Sequence, residues 1–182
     1  MAATVIINRL TGAGPTENAI TSINTRANAE DAHTTAGTTN SILIPAAGSN
    51  YSFWVNTQLD VTAITGGTVD NLKWYTDGAN NFGTGVTCNV AVASGAYDQA
   101  VGTEGETGTQ LTYANYGTDD LEGEPSDAFA YTSGSPLDVV GSTASTGAFG
   151  GIVVYQLVVA STASSGATAA ETFTWRYDDT SS

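Results

Sequence analysis

Basic side chains are scarce in this chain. Arg9, Arg26, Lys73 and Arg176 stand against eighteen acidic residues, for a net charge of −14. Such a chain repels a phosphate backbone and an anionic bilayer surface, so neither nucleic acid nor membrane is expected as a partner. Cysteine is all but missing: Cys88 is alone, so no intrachain disulfide forms and the fold must hold by packing. It lies on the apolar side of Val86–Val92 and reads as a small buried hydrophobe rather than a nucleophile. The lone histidine, His33, has no second histidine and no neighbouring cysteine to complete a structural zinc set. No Gly-x-Ser-x-Gly motif is present. The glycine-rich stretch 102–108 lacks the lysine of a phosphate loop and carries Glu104 and Glu106 instead. No apolar run approaches the ~20 residues of a membrane span. Residues 1–9 have a short apolar run and no basic leader, so a soluble product made in the cytoplasm is expected unless a leader has been removed.

Charge of either sign is also low, at 12% of residues, about half the usual share. Solubility therefore rests on Thr, Ser, Asn and Gly. Hydroxyls and amides desolvate at less cost than ions, and a surface made of them suits close packing of repeated copies.

Strand patterning is abundant. Residues 152–159, Ile-Val-Val-Tyr-Gln-Leu-Val-Val, are apolar on both faces, as in a central sandwich strand. Residues 172–177 alternate, with Phe173, Trp175 and Tyr177 on one face and Thr172, Thr174 and Arg176 on the other. The small polar residues 161–169 between them read as a loop, which makes the pair a closing hairpin. Further strands are expected at 4–8, 41–45, 51–61, 69–75, 86–92, 110–113 and 128–131. In the third of these, Tyr51, Phe53, Val55, Leu59 and Val61 share a face and Trp54 points the other way. Short strands, Gly- and Ser-rich turns and no useful helical period predict an all-β antiparallel sandwich.

One domain is expected, a sandwich over 41–182, preceded by an N-terminal arm or extension over 1–40 that is either a mobile tail or ordered against a neighbour. Residues 10–40 hold few large apolar side chains, too few to repay their own ordering entropy. Val5, Ile6 and Ile7 are apolar enough to pair with a sheet edge, the chain's own or a neighbour's, which makes them candidates for an assembly arm. Residues 98–127 carry eight of the acidic residues and little apolar material. Within them Asp119, Asp120, Glu122 and Glu124 lie on six residues of loop, without the rigid separation a glycosidase pair requires. No catalytic residue, and hence no enzyme, is expected. Asp77, Asn80 and Asn81 offer calcium its preferred oxygens but only one carboxylate, and Asp77-Gly78 is equally the pair a tight turn requires. The turn is the preferred reading, with no cofactor. Trp54 is the best placed of the aromatic residues (Trp74, Tyr75, Tyr97, Tyr113 and Tyr116 are the others) to stack on a sugar ring, if no second layer covers it.

Four phrases stand together in order: Asn71-Leu72-Lys73-Trp74-Tyr75-Thr76-Asp77-Gly78, Ser133-Gly134-Ser135-Pro136-Leu137, residues 154–166 and residues 171–179. Their order is similar to that of virion structural proteins of tailed phages and related viruses. The resemblance covers residue 51 to the C-terminus and rests on short strand signatures. It implies an immunoglobulin-like or jelly-roll-like sandwich, a virion location, and capsid or other virion proteins and further copies of itself as partners. The role it implies is on the capsid surface, as decoration or cement, or in the tail, and it supplies no active-site residues. The alternative is a carbohydrate- or receptor-binding module of a tail or extracellular protein.

Overall fold

A computed structural model describes residues 2–21, 23–33, 39–94, 96–117 and 120–180. Twelve strands run in chain order: β1 (Thr4–Thr11), β2 (Thr16–Ala19), β3 (Ser49–Tyr51), β4 (Val55–Ala63), β5 (Val69–Tyr75), β6 (Val86–Ala93), β7 (Gly102–Thr103), β8 (Thr107–Gly108), β9 (Ser126–Asp127), β10 (Leu137–Val139), β11 (Gly147–Ala160) and β12 (Thr174–Asp179). A seven-stranded sheet is ordered β2-β1-β4-β11-β6-β9, with β3 also on β11. A three-stranded sheet is ordered β10-β5-β12, and β7-β8 is a separate ribbon. All named pairs are antiparallel. The protein is an all-β sandwich. Its only helical piece among the described residues is the 3-10 turn Ala128–Ala130. No helix there is long and apolar enough to cross a membrane.

The long strand β11 explains the architecture. It lies between β4 and β6, so its backbone is paired on both edges, and its alternate side chains enter two separate cores. Val153, Tyr155 and Leu157 join Val55, Leu59, Val61, Cys88, Val90 and Val92 beneath the small sheet, which contributes Leu72, Trp74 and Val139. Phe173 locks the two sheets together, with ring centroids 5.0 Å from Trp74 and 4.8 Å from Tyr155. Ile152 and Val154 face the other way, into a core with Leu10, Phe53, Trp54, Ala91, Ala93, Leu111, Tyr116 and Leu121. A strand buried on both faces cannot alternate in polarity, and this one does not.

Two positive-φ residues shape the sheets. Gly150 (φ 74°) sits where β11 shifts register against β4 between Phe149 and Val153. Its carbonyl accepts from Gln58 Nε2 at 2.8 Å. Asn71 (φ 51°) stands opposite the shift between Arg176 and Asp178 of β12. Asn tolerates this conformation better than most residues, and its amide donates to Asp178 Oδ2 at 2.8 Å.

Several expectations are corrected. The N-terminal strand is no detached arm: β1 pairs with β4 from Val5↔Val61 to Leu10↔Asn56. The expected boundary between 1–40 and 41–182 therefore cuts through one sheet. Val5 and Ile7 pack against the inter-sheet core and Leu10 is buried in the other, so these residues are used within their own subunit. The connection after β2 is irregular but fastened, by Ala29 N to Asn40 O (2.8 Å), Phe53 N to Asn28 O (2.8 Å) and Gly105 N to Ala29 O (2.9 Å). Hydrogen bonds to distant backbone, which hydropathy does not register, supply the order that large apolar residues would otherwise provide.

The expected closing hairpin does not form either. β11 and β12 lie in different sheets, and the 161–169 loop crosses between them. Residues 41–45 and 110–113 are irregular. The chain is also not yet a strand at 52–54, so Phe53 and Trp54 both enter the second core instead of alternating.

Candidate functional site

Trp54 is 1% exposed. Its ring lies 5.1 Å from that of Tyr116, and Nε1 donates to the Thr109 carbonyl at 2.9 Å. A ring so covered cannot stack on a ligand: of the two readings of Trp54, burial under a second layer and a sugar-stacking platform, the structure shows burial. Nearby groups show what the ring does instead. Gln156, wholly buried on β11, accepts from Leu111 N (2.6 Å) and donates to the carbonyls of Ser52 (2.7 Å) and Thr109 (2.8 Å). Asn56, wholly buried on β4, accepts from the Tyr116 hydroxyl (2.8 Å) and donates to the Asp98 carbonyl (3.2 Å). Three side chains thus satisfy the backbone of the 98–116 connection and hold it over the outer face of the large sheet. Gly108 makes the close approach feasible, since a Cβ there would collide with the Ser52 carbonyl.

The acidic loop is fastened in the same way. Glu122 N donates to Val92 O at 2.8 Å, Ser94 N to Asp120 O at 3.1 Å, and Tyr113 N to Glu124 Oε2 at 3.2 Å. Asp119 lies outside the described residues. Asp120, Glu122 and Glu124 serve here as backbone partners.

In the Asp77 loop, Asp77 Oδ1 accepts from Ala79 N (2.9 Å) and Asn80 Oδ1 from Phe82 N (3.0 Å). Asn81 N donates to Glu171. The oxygens of Asp77 and Asn80 that calcium would need are turned onto the loop's own amides, the geometry of a turn. Among the described residues no three His, Cys, Asp or Glu side chains gather to hold a metal.

Arg9 is the one buried cation, 1% exposed. Nη1 donates to Thr25 Oγ1 (2.8 Å) and to the Arg26 carbonyl (2.6 Å). Among the described residues Nε and Nη2 have no partner, nor does Asp31 Oδ1. Burial lowers the guanidinium's pKa, opposed by Tyr155, Asp31 and Glu30. Burial, and then Arg9 itself, pushes His33 below its ordinary value. Cys88 is free and buried, and burial raises its thiol pKa, so the reactive thiolate is suppressed.

One concavity lies on an open sheet face. Tyr75 ends β5 on the outer side of the small sheet, opposite Thr174 of β12. Together with Thr76, Asp77, Thr132, Ser133 and Thr172 these residues line a groove of about 250 Å³. Its walls are tied: Thr76 donates through both N (2.9 Å) and Oγ1 (3.1 Å) to the Tyr131 carbonyl, and Thr132 and Ser135 exchange backbone bonds at 3.2 and 3.0 Å. The Arg176 guanidinium carbon stands 6.0 Å from the Tyr75 ring centroid. Tyr75 was one of several aromatic residues legible in the sequence. Its grouping with Thr132 and Thr172 depends on pairing that no sequence pattern reveals.

No protein-family model matches the chain, and no curated protein or solved structure matches it significantly. The class defined by the structure is an antiparallel β-sandwich with a fastened layer of connections over its larger sheet.

Proposed function

We propose that this chain is a non-enzymatic virion structural protein, most simply a capsid decoration or cement protein that packs as repeated copies on the head surface. The observation that carries the reading is the fastening of the 98–116 connection by Gln156, Asn56 and Trp54. Irregular chain held this way presents a preorganised surface, and a preorganised surface loses little entropy when it packs against a neighbour. The low charge and abundant hydroxyls lower the desolvation cost of such packing. The order of the strand phrases adds support, and under this reading the sandwich is of the immunoglobulin-like or jelly-roll-like kind. The contacts to other copies and to capsid proteins come from surface connections, with Val5, Ile6 and Ile7 already engaged at home.

The rival reading, a carbohydrate- or receptor-binding module, loses Trp54 and keeps support only at the Tyr75 groove. Immunogold labelling of purified particles with antibody to this chain separates the two. Label over the whole head is the expected result. Label confined to a tail tip favours adhesion, and particles without label overturn the proposal.

A further inference from the structure

We propose that the Tyr75 groove is a binding site for a neutral saccharide. The inference is independent of where the protein resides, and it follows from the chemistry of the lining. One aromatic ring, Tyr75, stands beside the hydroxyl-bearing side chains of Thr132, Ser133, Thr172 and Thr174 and the single carboxylate of Asp77. A sugar ring has an apolar C–H face and a rim of hydroxyls. The first matches an aromatic face, and the second matches a mixed set of donors and acceptors in which a carboxylate forms the strongest bonds. The Thr76 hydroxyl is already spent on the Tyr131 carbonyl and on Gly78 N. Asp77, an exposed residue, spends only Oδ1 on Ala79 N, which orients the carboxylate.

Size limits the ligand. At about 250 Å³ the groove is smaller than the ~300–1,000 Å³ of sites for drug-sized molecules, so it takes one or two sugar units. It is open along one side, which permits these to belong to a longer chain. Rigidity favours binding: the Thr76–Tyr131 bonds, the Thr132–Ser135 bonds and the Tyr75↔Thr174 pairing hold three walls in place before any ligand arrives.

Charge sets the neutrality. Of the two cations on this sheet face, Lys73 is engaged by Asp138 and Arg176 lies against Tyr75. An anionic ligand would meet Asp77 and a chain of net charge −14. A bare divalent cation would find only one carboxylate.

The test is a titration of the isolated, isotopically labelled protein followed by amide NMR. The probes are glucose, galactose, mannose and N-acetylglucosamine with their short oligomers, and glucuronate as the charged control. Saturable shifts are expected at Tyr75, Asp77, Thr132, Ser133 and Thr174 with at least one neutral sugar, in the millimolar range typical of shallow sites. Tyr75→Ser and Asp77→Asn should each weaken that binding about tenfold, or ~1.4 kcal/mol, while the remaining amide spectrum stays dispersed. Asp77→Asn preserves the acceptor for Ala79 N, so it reports on the ligand even if the Tyr75 variant loosens the sheet. Three results overturn the proposal: no saturable shift with any neutral probe, shifts that neither variant changes, or tighter binding of glucuronate than of glucose.

Discussion

Replacing Gln156 with leucine isolates the fastening of the loop layer from the packing of the core. The two side chains are close in volume, so Gln156→Leu opens little space but removes three hydrogen bonds. Thr109 O keeps its bond from Trp54 Nε1. Leu111 N and Ser52 O lose the partner that Gln156 supplies in a wholly buried setting. A buried backbone group left unsatisfied costs about 1–3 kcal/mol, so two cost about 2–6 kcal/mol. That is a large share of the ~5–15 kcal/mol that stabilises an ordinary domain. At roughly 2–4 °C per kcal/mol for a domain of this size, the melting temperature should fall by about 4–24 °C. Chemical denaturation gives the free energy, and amide exchange at Leu111 gives the location. Exchange should accelerate over residues 98–116 more than in β4 or β6. A loss below about 1 kcal/mol, with Leu111 still protected, would show that the layer is held by its apolar contacts alone and would refute the reasoning.

Amide exchange on a verified monomer should show strong protection of Val5, Ile6 and Ile7, and removing residues 2–11 should leave the chain unable to fold, because β4 loses one of its two partner strands and both cores lose side chains of β1; a folded truncated protein by circular dichroism would contradict this. Trp54→Phe keeps an aromatic ring against Tyr116 but loses the bond to Thr109 O, and should cost about 1–2 kcal/mol in denaturant titrations without altering saccharide binding at the Tyr75 groove. Burial raises the pKa of Cys88, Tyr116 and Tyr155. The native state therefore keeps protons that the unfolded chain releases above about 8.5 for the thiol and 10 for the phenols. With fewer protons bound in the unfolded state, stability should fall as pH rises through that window. Denaturation midpoints measured from pH 7 to 11 check the sign, and flat midpoints would contradict it.

What the sequence showed and what it hid divide along a physical line. Val69–Tyr75 was legible to the residue, and Val86–Ala93 to within one, because Val69, Leu72 and Trp74 in the first and Val86, Cys88, Val90 and Val92 in the second mark one apolar face. The double-faced run at Ile152–Val159 correctly marked the central strand. Its partner was misjudged, because nearness in sequence favours a hairpin while Phe173 and Trp175 can reach Trp74 only from the other sheet. The loop layer was hidden for a different reason. Its order comes from Gln156 and Asn56, two polar residues in strands, and such residues look identical whether they face water or a backbone. The Tyr75 groove was partly legible as an aromatic residue beside Asp77. Thr132 and Thr172, which wall it in, arrive from distant parts of the chain.

The few cations show how an acidic chain with a small charge complement arranges itself. Arg9 is spent inside, tying β1 to the Thr25 hydroxyl and the Arg26 carbonyl, with Asp31 and Glu30 offsetting its charge. Lys73 pairs with Asp138 across β5 and β10, and Arg176 lies against Tyr75 across β5 and β12. The central strand of the small sheet is therefore bridged to both its edges by a basic side chain. That placement puts positive charge where it offsets the carboxylates of Asp70, Asp138 and Asp178 on the same open face. It leaves the acidic excess on the connections over the large sheet, including Glu104, Glu106, Asp120, Glu122 and Glu124. The two broad faces of the sandwich therefore differ in kind: one carries both Lys73 and Arg176 and a groove, while the other is a fastened acidic layer. A partner that packs on the layer must tolerate or neutralise negative charge, whereas a neutral ligand in the groove need not.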